Sequence, residues 1–88
     1  MASDMMTQDQ ARLEVLDSLK SVVPEADAES IDPNTPFRDQ LDIDSVDYLN
    51  FILTLERRLG VRVPEEDYPQ MASLNGAMRW LAGRAYRA

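Results

Sequence analysis

The residues with the clearest potential for chemistry lie in one short segment, Asp42-Ile43-Asp44-Ser45-Val46-Asp47. Its serine stands directly after a loop, at the start of a helical pattern, with carboxylates on both sides. An exposed hydroxyl there can be reached by a modifying enzyme, which the carboxylates could help to dock. A serine becomes a strong nucleophile only beside an activating group such as histidine, and the chain contains no histidine. Ser45 is therefore predicted to accept a group attached by another enzyme.

Composition excludes several other kinds of site. With no Cys and no His in 88 residues, a disulfide framework and a thiolate zinc site are impossible. Asp42-x-Asp44 resembles the opening of a calcium loop, but the pattern fails because Val46, Asp47 and Leu53 occupy its fifth, sixth and twelfth positions. A chain of this length builds one modest core with little room for a deep cleft. We expect one domain over residues 1–88 that is not an enzyme.

The formal net charge of −7 is unevenly spread, because residues 1–44 carry 11 acidic and 3 basic groups and residues 45–88 carry 5 and 6. A negative field repels phosphate backbones and favours partners that present Arg and Lys. A DNA-binding helix-turn-helix needs a basic recognition helix, and the segment from Ser45 sets Asp47 and Glu56 against Arg57 and Arg58. Nucleic-acid binding is therefore not expected.

The N-terminus lacks a basic region followed by an apolar run, and no apolar stretch approaches ~18 residues. No signal peptide, no membrane span and a cytoplasmic location are therefore expected.

Apolar spacing predicts an all-α fold, a small bundle of three main helices and one short helix with a long loop between the first two main helices. The first helix is predicted for residues 7–23, with Thr7 and Gln10 forming a capping box. Pro24 ends it. The predicted inner stripe consists of Leu13, Leu16, Leu19 and Val23.

The loop over residues 24–43 is unusually long for a compact domain unless it is pinned or functional. A short helical turn is expected near residues 36–40. Side chains that could pin the loop in the core are Ile31, Phe37, Leu41 and Ile43.

The second main helix is predicted for residues 45–59, with Asp44 as its cap and Gly60 as its stop. It has two apolar arcs. The wide arc, expected to face the core, contains Tyr48, Phe51, Ile52, Leu55 and Leu59. The other, Val46, Leu49 and Leu53, indicates either a surface for a ligand or partner, or simply a more central helix.

A short helix is predicted for residues 64–68, stopped by Pro69, and a last helix for residues 74–85, capped by Ser73. Trp80 is expected to be partly covered, and Gly83 to weaken the final turn. The inner stripe of the last helix is predicted to be Leu74, Ala77, Met78, Leu81 and Ala85.

The segment Asp44-Ser45-Val46-Asp47 resembles the Asp-Ser-Leu motif of acyl carrier proteins, with Val in place of Leu. The resemblance covers nearly the whole chain, including residues 31–37 before the motif, residues 56–64 after the second helix, and Ser73-Leu74. It implies that a phosphopantetheinyl transferase moves 4′-phosphopantetheine from coenzyme A to the Ser45 hydroxyl. The arm's thiol would then carry acyl groups as thioesters. The resemblance also implies that an acyl chain can fold back near Leu49, Leu53 and residues 65–68.

The resemblance further implies a monomeric carrier of fatty acid or polyketide biosynthesis that meets acyl-loading and acyl-accepting enzymes with basic docking surfaces. The predicted partner-binding residues are Asp42, Val46, Asp47, Leu49, Leu53 and Glu56.

Three features depart from carriers of bacterial fatty acid synthesis. Asn50 replaces a frequent Glu, Arg57-Arg58 replace further acids, and Leu41-Asp42-Ile43 replaces a glycine-containing turn. The basic pair would repel partners built for a uniformly acidic helix. These departures favour a stand-alone carrier of a specialised pathway. Two alternatives stay open: an aminoacyl or peptidyl carrier, and a helical protein–protein interaction module with no covalent arm.

Overall fold

The computed structural model describes residues 7–82, and the regular structure in that range is entirely helical. The prediction of three main helices and a short one is confirmed, and the long loop contains the short helical turn expected near residues 36–40. In chain order the elements are α1 (Gln8–Val22), α2 (Phe37–Gln40), α3 (Ser45–Leu59), a 3-10 helix (Glu65–Ala72) and α4 (Leu74–Ala82).

Helix α1 begins with the predicted capping box. The Gln10 amide donates to the Thr7 hydroxyl, and the Thr7 amide donates to Oε1 of Gln10. The predicted stripe is wrong at Leu13, which is 59% exposed. The face of α1 that packs against α3 and α4 includes residues outside the predicted stripe. Leu13 lies off that buried face. That face comprises Ala11, Val15, Leu16, Ser18 and Leu19.

Helix α3 buries the wide apolar arc predicted for it, except for Tyr48, which is half-buried. Phe51, Ile52 and Leu55 are almost fully buried. Gly60 ends the helix in the left-handed region, with φ of 65°, where a residue with a side chain would be strained. Helices α1 and α3 are also joined by Arg58, which pairs with Glu14 and Asp17 of α1.

The long loop is pinned by both apolar and polar contacts. Ile31 and Phe37 are buried as predicted, and the Phe37 ring packs edge-on against Phe51 of α3 at 5.4 Å between centroids. The Gln40 side chain accepts from the Asp32 amide at 2.8 Å and donates to the carbonyls of Asp32 and Thr35, both at 2.9 Å. One glutamine amide therefore closes the segment between Ile31 and α2.

The segment after α3 differs from its prediction. The 3-10 helix does not stop at residue 68 but continues through Pro69 to Ala72. Proline fits the first position of a new helical turn, where its missing amide is not needed.

The prediction that Trp80 is partly covered is also wrong. Its side chain is buried, and Nε1 donates to Oδ2 of Asp67 at 3.0 Å.

Helix α4 begins after Ser73, whose hydroxyl accepts from the Gly76 amide at 3.1 Å, as predicted. A Cβ at Gly76 would lie 2.2 Å from the Gln70 carbonyl oxygen, so only glycine allows α4 this close to the 3-10 helix. The backbone amide of Asn75 donates to the Pro33 carbonyl at 2.9 Å and so ties α4 to the long loop. The predicted residues 83–85, including Gly83 and Ala85, lie outside the described range.

Replacing Phe37 tests whether the loop depends on its burial. Phe37→Ala should lower the free energy of unfolding by roughly 3–5 kcal/mol, because it leaves a cavity against Phe51. The exposed Leu13 supplies the matched control, and Leu13→Ala should change it by less than about 0.5 kcal/mol. Urea unfolding followed by circular dichroism measures both. A loss below about 1 kcal/mol for Phe37→Ala would show that the loop is held by other contacts.

Candidate functional site

Ser45 is the first residue of α3, and it is exposed. Asp44 precedes it in extended conformation and caps the helix. The Asp47 amide donates to Oδ1 of Asp44 at 2.9 Å, and the Asp44 amide donates to Oδ2 of Asp47 at 3.3 Å. This reciprocal capping box fixes the point at which the chain leaves the loop and presents the Ser45 hydroxyl to solvent.

Four aspartates lie within six residues of Ser45 in the sequence. Asp39, Asp42 and Asp44 are exposed, and Asp47 is half-buried. The carboxylates of Asp44 and Asp47 form the capping box at the N-terminus of α3, where the helix dipole favours negative side chains. The entrance to α3 is therefore an anionic surface around an exposed hydroxyl.

An apolar stripe continues along α3 from Ser45. Val46 is 63% exposed, Leu49 is 41% exposed and Leu53 is 37% exposed. Their spacing places them on one face of the helix, beside the arc that is buried in the core. Of the two interpretations left open by the sequence, the described part of the chain favours a surface for a ligand or partner.

Glu56 has a structural contact that its sequence position did not reveal. Its Oε2 accepts from the Val63 backbone amide at 2.7 Å, and the side chain is half-buried. The carboxylate therefore braces the connection from α3 to the 3-10 helix. The role of Glu56 in partner binding stays a prediction, and a substitution there would also loosen this connection.

A cleft of about 490 Å³ opens beside Leu53, between α3 and the 3-10 helix. Charged residues occur among its walls, so it is a polar-rimmed groove rather than a closed apolar cavity. Its lining residues are Leu53, Glu56, Val61, Arg62, Val63, Pro64, Glu65 and Tyr68.

Tyr48 joins the two sides of this region, which the sequence did not predict. Its hydroxyl donates to the Tyr68 backbone carbonyl, and its ring lies against Phe51. Burial raises the pKa of Tyr48 above its ordinary value of 10.0, Arg38 opposes the rise, and Tyr68 adds slightly to it. The sequence around Tyr48 gave no indication of this bond, because the accepting carbonyl of Tyr68 lies 20 residues further along the chain.

Within residues 7–82, no group of three or more acidic, histidine or cysteine side chains could hold a metal ion. No helix in that range is long and apolar enough to cross a membrane.

Comparison with known proteins gives a consistent result. Residues 14–81 match the family model described as the phosphopantetheine attachment site. The acyl carrier protein of Lactobacillus acidophilus is 31% identical over 77% of this chain and 89% of its own length. That of Myxococcus xanthus is 29% identical over 80% and 92%. The structure of the acyl carrier protein from Enterococcus faecalis superposes with a TM-score of 0.70 at 20% identity, covering 91% of this chain and all of that one.

The fold and the family match define a phosphopantetheine-dependent carrier rather than an enzyme. The chain belongs to the acyl carrier protein family, as its motif and helix order indicated. Its cofactor is 4′-phosphopantetheine.

Tyr48→Phe tests the bond across the cleft. Loss of the hydroxyl leaves the Tyr68 carbonyl without this donor and should cost about 0.5–1.5 kcal/mol at neutral pH. Because burial raises the pKa of Tyr48, the unfolded chain ionises first as pH increases. The stabilisation is therefore complete below pH 10 and is lost above it.

Thermal unfolding from neutral to alkaline pH measures this effect. The wild type should lose stability above about pH 10 more steeply than Tyr48→Phe. Tyr68→Phe is the matched control, because it retains the accepting carbonyl and should follow the wild type. Equal alkaline slopes for the wild type and Tyr48→Phe would contradict the prediction.

The four aspartates at the α3 entrance should repel one another. Sodium chloride, or a divalent cation, should raise the melting temperature by about 2–4 °C, which corresponds to roughly 0.5 kcal/mol of screened repulsion. The double variant Asp39→Asn/Asp42→Asn keeps the capping box and should respond less. A melting temperature that ignores both kinds of salt would argue against mutual repulsion.

Proposed function

We propose that Ser45 is the attachment residue and that a phosphopantetheinyl transferase modifies it. The observation that carries the proposal is the exposed Ser45 hydroxyl at the first position of α3, directly after the capping residue Asp44. In the transfer, the Ser45 oxygen bonds to the phosphorus of the phosphopantetheine unit of coenzyme A. The bond from that phosphorus to adenosine 3′,5′-bisphosphate breaks, and the serine proton passes to the transferase.

The residues around Ser45 fit this group. The hydroxyl is in solvent and can be reached by a second protein. The first amides of a helix have no partner within the helix, so the N-terminus of α3 suits a phosphodiester, although the carboxylates of Asp44 and Asp47 partly offset the attraction. The bound arm supplies a thiol that the polypeptide lacks, and the chain itself supplies a fixed anchor.

Acyl-loading and acyl-accepting enzymes are the proposed partners. Asp42, Asp44 and Asp47 offer negative charge beside the anchor, which suits basic groups around a partner's active-site entrance. Val46, Leu49 and Leu53 offer apolar contact on the adjacent helical face. Exposed apolar side chains rimmed by charge are typical of protein interaction sites.

We propose that residues 1–88 form one carrier domain. A cytoplasmic location, a monomeric state and a role in fatty acid or polyketide biosynthesis stay predictions of the sequence. The family match disfavours an interaction module without an arm. An aminoacyl or peptidyl cargo has no support from the relatives compared, which are acyl carrier proteins.

Intact-protein mass spectrometry tests the attachment residue. The purified chain, incubated with coenzyme A, magnesium and a promiscuous phosphopantetheinyl transferase, should gain the mass of one phosphopantetheine unit. Ser45→Ala should gain none, because the accepting oxygen is gone. Ser21→Ala removes another exposed serine hydroxyl, on α1, and should be modified like the wild type. No gain in the wild type, or a gain in Ser45→Ala, would refute the assignment.

A further inference from the structure

The exposed face of α3 has opposite charges at its two ends. Asp42, Asp44 and Asp47 lie at the Ser45 end. At the other end, Arg57 follows Leu53 by four residues, which places it on the same face as the apolar stripe. It is exposed, and the one side-chain hydrogen bond it forms among the described residues is long, 3.5 Å to the Thr54 hydroxyl.

Two arginines at this end are available to a partner, and a third is not. Arg58 is engaged by Glu14 at 3.0 Å and Asp17 at 3.4 Å, so its charge serves the contact between α3 and α1. Arg62 is exposed and lines the cleft beside Leu53. Within residues 7–82, neither Arg57 nor Arg62 forms an ion pair.

The distance between the two charged ends is fixed by the helix. Asp47 and Arg57 are ten residues apart, which corresponds to about 15 Å along the axis of an α-helix. Because α3 is packed in the core through Phe51, Ile52 and Leu55, the spacing is rigid. From the Ser45 end to the Arg57 end, the face is negative, then apolar, then positive. A partner that contacts the whole face must therefore present positive charge, an apolar surface and negative charge in the same order.

We propose that Arg57 and Arg62 select the partner enzyme. The partner they fit carries Lys or Arg at its active-site entrance and Asp or Glu about 15 Å away. An enzyme that is basic along the whole contact would be repelled at the Arg57 end. This inference rests on the proposed function, since Ser45 must deliver its arm to that entrance.

The test uses a malonyl transferase of bacterial fatty acid synthesis, chosen so that its structure shows basic residues both at the entrance and about 15 Å from it. A second version carries Glu in place of the distant basic residues. The acceptors are the holo forms of the wild type, Arg57→Glu/Arg62→Glu, and the control Arg12→Glu/Lys20→Glu. The control makes the same change in net charge at exposed positions of α1. Circular dichroism and melting temperature establish that each acceptor is folded.

With the unmodified transferase, Arg57→Glu/Arg62→Glu should exceed the wild type in kcat/KM by about fivefold, through KM, because a repulsion becomes an attraction. With the Glu-bearing transferase the wild type should be the better acceptor. The control should stay within about twofold of the wild type for both enzymes, and high salt should reduce the differences. No reversal between the two transferases, or an equal effect in the control, would overturn the inference.

Two further outcomes distinguish failure of the proposed function from failure of this inference alone. A wild type that accepts no phosphopantetheine would overturn the proposed function and this inference with it. Full modification without a charge effect would overturn the inference alone.

Sedimentation equilibrium at the assay concentration checks whether a second copy of the chain covers the face. A dimer that Arg57→Glu/Arg62→Glu dissociates would assign the face to self-association and overturn the choice of partner.

Discussion

The Asp44 carboxylate caps α3 at the point where the long loop ends. The exposure of the Ser45 hydroxyl depends on the position of that boundary. Capping by Asp44 and Asp47 satisfies helix amides that would otherwise lack a partner. It thereby fixes Ser45 at the first helical position, in solvent. A shift of one residue in the register of α3 against the core would rotate the serine and the apolar stripe together by about 100° around the helix axis.

The boundary is held in turn by the packing beneath it. Phe37 anchors the loop from below, and Gln40 closes the turn that precedes α2. Asn75 ties the same loop to α4. The loop is long, yet these contacts leave it little freedom, so the anionic entrance to α3 is a defined surface. That suits a carrier, which must present one atom in the same way to several enzymes.

The charged residues of the chain divide between the fold and the surface. Glu56 and Arg58 look like surface charges in the sequence, but Glu56 binds the Val63 amide and Arg58 binds two carboxylates of α1. Leu13 and Trp80 show the same ambiguity for apolar residues. Leu13 belongs to a plausible helical stripe and is exposed, whereas Trp80 lies off its predicted stripe and is buried through a bond to Asp67. Periodicity gives the direction of a side chain around a helix but not the neighbour that covers it.

Local physics in the sequence determined the helices and the site motif. Thr7, Asp44, Gly60 and Ser73 set helix ends through short-range bonds and backbone preferences, so they could be recognised without a structure. The sequence also showed that the polypeptide has no thiol of its own, and the family match supplies the phosphopantetheine arm. Tertiary structure alone decided the bond from Tyr48 to the Tyr68 carbonyl, the burial of Trp80, and the pairing of Arg58 with two carboxylates of α1. Each of these depends on segments distant in the chain, and their approach follows from packing of the whole core.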